Sequence, residues 1–272
     1  VKTLMSVAVL AGAAIALAGC RVDVNTETHH EDRSYAAPDA KSIKVSGAGG
    51  KVEIVGSDSP GIKVEERLTW TSEHRKPEPK HVIQNGTLSL SATCKGHVIG
   101  FSNCGVSYKI QVPRDTGLDL HNDDGAVTVS DVQGAIRVTT DTGSIEANAL
   151  RATSLYAKTG DGTVRASGEV GSAEFHTDTG SVAATALRTD KLIAGSGDGT
   201  LSFGLTQPPN SVKLTADTGD VKLKLPFADV KYALDASTDT GNVDKNGIPV
   251  DSASPHKITI KTGDGNITIT PA

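Results

Sequence analysis

Apolar and polar residues alternate along most of this chain, and a short polar phrase breaks the alternation at regular intervals. Ile145/Ala147, Val164/Ala166, Val182/Ala184, Leu201/Phe203, Val221/Leu223/Leu225 and Ile267/Ile269 each lie two residues apart, the spacing that places side chains on one face of a strand. A second alternating run accompanies each first one: Leu155/Ala157, Ala173/Phe175, Leu192/Ala194, Val212/Leu214/Ala216, Tyr232/Leu234/Ala236 and Ile258/Ile260. The pattern predicts pairs of short strands separated by turns, repeated many times.

The interrupting phrase is a polar residue, two turn residues, Gly, any residue, then Val, Ile or Leu. It occurs as NDDGAV, TDTGSI, TGDGTV, TDTGSV, SGDGTL, ADTGDV, TDTGNV and TGDGNI, with its glycine at Gly125, Gly143, Gly162, Gly180, Gly199, Gly219, Gly241 and Gly265. A period of about 20 residues is the signature of a solenoid, in which each repeat buries its apolar face against its neighbours. Residues 121–270 are therefore expected to form an all-β, parallel β-solenoid with two strands and two turns per rung. Glycine recurs because a tight corner between strands calls for positive φ. Asp-Gly corners also resemble the loops of calcium-binding β-rolls, but those need a period of about nine residues and about six to eight converging oxygens. Turn chemistry is the expectation, with no metal and no cofactor.

The two residues before each corner glycine vary together. Asp141, Asp178, Asp217 and Asp239 are each followed by Thr, whereas Gly160, Gly197 and Gly263 are each followed by Asp. Rungs stack about 4.8 Å apart, and two carboxylates at that distance in water repel by roughly 0.9 kcal/mol. Shifting the Asp by one position between neighbouring rungs would relieve that repulsion. Along the chain the alternation fails once, where Asp217 is followed by Asp239 in the same register.

Residues 41–120 repeat less clearly and are expected to be degenerate rungs or an antiparallel meander, with strands near 42–46, 51–55, 62–71, 87–92 and 107–112. Two insertions stand out. SEHRKPEPKH (72–81) is basic in an acidic chain, and would either touch anionic lipid head groups or polysaccharide or be a solvated loop kept out of the sheet by Pro77 and Pro79. CKGHVIGFSNC (94–104) is the second.

The first 19 residues read as a signal peptide: Lys2, an apolar stretch from Leu4 to Leu17, then small residues before Cys20, with Val1 taken as the product of a non-standard start codon. LAGC, ending at Cys20, resembles the lipobox of bacterial lipoproteins, which implies cleavage before Cys20 and its lipidation. Residues 20–40 would then be anchor and flexible tether, and Arg21, not being Asp, favours the outer membrane by the same resemblance. With Cys20 assigned to lipid, Cys94 and Cys104 are left to pair as a disulfide in an oxidising compartment.

The net charge of −5 argues against nucleic acid as partner. A carbohydrate-active β-helix enzyme would usually offer aromatic platforms, and this chain has one Trp and four Tyr. Its carboxylates fall in repeating corners, not in one constellation where pKa values are pushed apart. The succession YKIQVPRDTGLDLHNDDGAVTVSDVQGAIRVTTDTGSIEA (108–147) resembles the bacterial "putative adhesin" family known as domain of unknown function 4097. That resemblance spans residues 41–270 and implies an envelope β-repeat protein with no family active site. The expected function is non-enzymatic: a lipid-anchored cell-envelope protein acting as an adhesin-like surface or scaffold, contacting the membrane through its lipid and an envelope protein or polysaccharide as partner. A carbohydrate-active enzyme and a calcium-binding repeat protein are the alternatives.

Overall fold

The computed structural model describes residues 27–47, 49–71, 73–94, 104–226 and 230–272. The chain opens with β1 (His29–Ala37), β2 (Ser42–Ser46), β3 (Gly49–Ser57) and β4 (Ile62–Trp70), passes a 3-10 turn at Glu73–Arg75, and continues through β5 (Glu78–Gln84), β6 (Thr87–Thr93) and β7 (Cys104–Pro113). Then come β8 (Gly117–Asp124), β9 (Val127–Ser130), β10 (Ile136–Thr142), β11 (Ile145–Asp161), β12 (Val164–Thr179) and β13 (Val182–Arg188). The chain ends through β14 (Lys191–Asp198), β15 (Leu201–Leu205), β16 (Ser211–Thr218), β17 (Val221–Leu225), β18 (Ala233–Thr240), β19 (Val243–Asp244), β20 (Lys257–Asp264) and β21 (Ile267–Pro271).

These strands stack as a parallel β-solenoid with two main faces. On one, β6, β2, β8, β10, the second half of β11, the second half of β12, β14, β16, β20 and β18 are neighbours in that order, all parallel. On the other, β7, β3, β9, the first halves of β11 and β12, β13, β15, β17, β21 and β19 follow in the same order. The alternating apolar residues point inward as expected: Ile145, Ala147, Leu155, Ala157, Phe175, Phe203, Leu214 and Ile260 are all buried. Phe175 and Phe203 meet at 5.9 Å across the core. Middle rungs add a third short run, in which Leu150–Ala152 pairs with Gly168–Val170, and Gly168 and Glu169 pair with Leu187 and Arg188.

Chain order and spatial order differ at both ends. The rung of β2 and β3 lies inside that of β6 and β7, and the rung of β20 and β21 lies inside that of β18 and β19. Apolar content accounts for the second swap. Ile258, Ile260, Ile267 and Ile269 are each at most 1% exposed in the doubly covered position. Beyond the buried Tyr232 just before β18, the outermost rung offers Leu234 and Ala236, both half-buried, and Val243, which is 36% exposed. Val243 pairs with Ile267, so Lys245 would stand where Ile269 faces the core; β19 stops at Asp244 instead.

The N-terminal region consists of rungs plus an antiparallel cap. β4 runs antiparallel to β7, β1 antiparallel to β4, and β5 antiparallel to β6. Two sequence expectations are corrected here. The tether does not extend to residue 40, because residues 29–37 form β1, whose backbone completes the open edge of β4. Nor does proline keep the 72–81 insertion out of the sheet: Pro79 lies within β5, opposite Ala92, and an edge strand tolerates proline because one side of its ladder is unpaired. Cys94 and Cys104 are bonded, with Cα atoms 6.1 Å apart. The bridge ties the residue after β6 to the first residue of β7, the two strands of one rung. By chain entropy, a loop of this size contributes about 2–3 kcal/mol.

Candidate functional site

The repeated corners are the first feature to test. Seven of the eight phrase glycines have φ between +115° and +152°; Gly162 does not share this left-handed φ. What all eight share is close stacking. A Cβ on Gly143 would lie 2.4 Å from the Gly125 carbonyl oxygen, on Gly162 2.2 Å from that of Gly143, and on Gly199 1.8 Å from that of Gly180. The glycines form a ladder in which each backbone rests on the next.

The leading polar residue of the phrase, which the sequence reading treated only as polar, has a defined role. Asn122, Thr140, Thr159, Thr177, Ser196 and Thr262 are buried, and their side chains satisfy corner carbonyls that the sheet leaves free. Thr159 donates to Gly143 O at 2.9 Å, Ser196 to Gly180 O at 3.2 Å, Thr262 to Gly219 O at 3.0 Å and Thr238 to Gly265 O at 2.9 Å. Buried backbone acceptors need such partners.

From Asp141 onward the corner carboxylates alternate in space; only the first copy departs, where Asp123 stacks beside Asp141. Gly263 lies against Asp217, and β20 separates β16 from β18, so the sequence Asp217, Gly263, Asp239 restores the register shift that chain order seemed to violate. Among the described residues no group of three or more His, Cys, Asp or Glu side chains converges as a metal site would. The corners are a stacking device.

A different feature has the shape of a binding site. Two cavities, of about 680 Å³ and 470 Å³, share Arg151 and Glu169 and so form one groove along the solenoid axis. Its wall is the corner opposite the Gly ladder, where Asp131, Ala149 and Ala186 adopt φ of +59°, +52° and +51°. The strand register slips between Ala147 and Leu150 and again between Ala184 and Leu187. Left-handed alanines are strained, and such strain concentrates at functional sites.

The groove's charges are mostly committed. Arg114 Nε donates to Asp58 at 2.8 Å and holds the Asp58 carboxyl below its ordinary pKa, through the hydrogen bond first and its charge second. Arg188 Nη1 lies 3.4 Å from Glu169 and its Nε donates to Gln207, which donates in turn to Asp190 at 3.2 Å. Among the described residues Arg151 alone of the groove's three arginines makes no ion pair. It stands at the centre, where the two cavities meet.

The capped end holds a second cluster. Tyr35 donates to the buried Glu66 at 2.6 Å and stacks on His81 at 4.4 Å, which joins β1 to β5 across the end of the core. Burial first, and then Glu66, push the Tyr35 and Tyr108 phenols above their ordinary pKa. Lys76 sits 4.8 Å over the Trp70 ring and pairs with Glu31. Cys20, the expected lipidation site, lies outside the described residues.

Two continuous parallel faces, stacked glycine corners and an antiparallel cap define a parallel β-solenoid. The chain belongs to the family described as Toastrack DUF4097, whose model matches residues 40–270. A solved structure from Bacteroides fragilis NCTC 9343, called a "putative adhesin", is similar at 16% identity, covering 91% of this chain and 99% of its own, with a TM-score of 0.58. Another "putative adhesin", from Parabacteroides distasonis ATCC 8503, is similar at 12% identity over 90% of this chain and 99% of its own, with a TM-score of 0.48. At 16% identity the likeness to the Bacteroides fragilis structure speaks for the fold alone. No curated protein matches the chain.

Proposed function

We propose that this is a non-enzymatic, lipid-anchored protein of the bacterial cell envelope that presents its axial groove as an adhesin-like binding surface. The groove carries this reading. It crosses successive rungs, as an extended ligand would need, and among the described residues its one cation without an ion pair is the central Arg151 guanidinium. A guanidinium without an internal partner suits a carboxylate or phosphate on the ligand, because its planar donors match those groups in pairs. Acid–base catalysis finds less support: Asp58, Glu169 and Asp190 are each engaged by an arginine or a glutamine, so none is left as a poised acid or base.

Binding of anionic polysaccharide and protein fractions of the envelope to immobilised residues 27–272 tests the groove. Arg151→Gln should lower binding at least tenfold with no change in thermal stability, since the side chain is exposed and unpaired and glutamine adds no charge beside its rung neighbour Glu169. Binding equal to wild type removes the groove reading, and steady release of shortened oligosaccharides would favour the enzyme instead.

The anchor is tested separately. Cys20→Ser should move the protein from the membrane fraction to the soluble one, and wild-type membrane fractionation of that variant would refute lipidation.

A further inference from the structure

The capped end of the solenoid has a surface that neither the groove nor the corners use. Four large apolar side chains are exposed among the described residues, and all lie at the two ends: Val82 (58%) and Ile83 (50%) on β5, Val243 (36%) and Val250 (53%) at the far end. Val82 and Ile83 are successive residues of an edge strand whose one strand partner among the described residues is β6, so their side chains leave its two faces and both border its open edge. Beside them Lys80 is exposed and makes no ion pair among the described residues.

The length of chain before β1 decides which end meets the bilayer. β1 begins at His29, so residues 21–28 alone separate Cys20 from the folded cap. Such a segment spans about 17 Å root-mean-square when flexible and at most about 30 Å when extended. β1 and β5 are both outermost strands of this end and touch through Tyr35 and His81. A lipid on Cys20 thus holds β5 close to the membrane surface and Val250 far from it.

We propose that the β5 edge is a membrane-docking foot, with Val82 and Ile83 seated at the boundary of head groups and acyl chains and Lys80 against lipid phosphate. The inference rests on lipidation of Cys20. Two half-exposed aliphatic side chains bind a bilayer weakly by themselves, but the short tether makes the contact intramolecular and raises its effective concentration. Docking stands the solenoid on the membrane and directs its axis and groove outward.

The test uses the full lipidated chain in vesicles of phosphatidylcholine and phosphatidylglycerol. Cys94 and Cys104 are bonded and Cys20 is acylated, so Ile83→Cys or Val250→Cys supplies the one thiol for an environment-sensitive fluorophore. The label at position 83 should shift to the blue and be quenched by iodide at least threefold less than the label at position 250. Adding Val82→Asp and Lys80→Glu should abolish that protection while circular dichroism stays unchanged. Equal quenching at both positions, or protection that survives the double change, overturns the proposal. Failure of the protein to load onto vesicles removes lipidation and the docking foot together, whereas loading with position 83 fully quenched removes the foot alone.

Discussion

Gly199→Ala should disrupt the solenoid as severely as a core deletion. Its Cβ would lie 1.8 Å from the Gly180 carbonyl oxygen, and φ there is +151°. Neither side can yield, because the contact is backbone on backbone and Gly180 is itself held 2.0 Å, measured to its own would-be Cβ, from Gly162 O. Strain and overpacking each cost about 1–3 kcal/mol, so a loss of roughly 4 kcal/mol is expected. Two further variants separate the causes. Gly162→Ala has no left-handed φ but meets Gly143 O at 2.2 Å, while Gly86→Ala has φ of +74° with nothing within 4 Å. Urea melts should rank the losses Gly199, then Gly162, then Gly86 at about 1 kcal/mol. If Gly86→Ala costs more than Gly162→Ala, turn geometry and not stacking is what the glycines serve.

That ranking marks where the sequence was legible and where it was not. The period, the inward residues and the corner glycines could be read directly, because each rung repeats one local solution. The reason for glycine was read only in part: positive φ is a property of one turn, whereas the carbonyl contact belongs to two neighbouring rungs. The swapped rung order also left a trace. The repeated register at Asp217 and Asp239 and the charge of Lys245 at an inward position are both resolved once β20 and β21 lie between those rungs. β1 and β5 gave no such signal. The burial pattern of β5 lacks the alternation of a half-buried strand, and that of β1 alternates on His29, Glu31 and Tyr35, which are not aliphatic residues; backbone pairing, the Tyr35–His81 stack and the Trp70 contacts hold them. The groove was equally silent. Only the two residues inserted between Ala147 and Leu150, and between Ala184 and Leu187, interrupt the alternation there, and alanine does not announce a left-handed φ.

Deleting residues 257–272 should release more of the chain than it removes. Were rungs stacked in chain order, this would strip one terminal rung and leave residues 233–244 paired with their predecessor. In the fold, β18 pairs only with β20 and β19 only with β21, so the deletion takes away the sole strand partners of both. It also removes Ile258, Ile260, Ile267 and Ile269 from the core, a gross loss of about 6–12 kcal/mol in burial. Nearest-neighbour coupling in a solenoid then predicts fraying that runs from the new end inward. Amide exchange should show β18 protection falling at least 100-fold, to the level of an unfolded segment, with β14 little changed. The same order fixes a pair of point variants. Gly265→Val, whose side chain would meet Gly219 O and whose own carbonyl supports Gly241, should destabilise more than Gly241→Val on the outermost rung. Protection retained in β18 after the deletion, together with the opposite ranking of the two valines, would return the rungs to chain order.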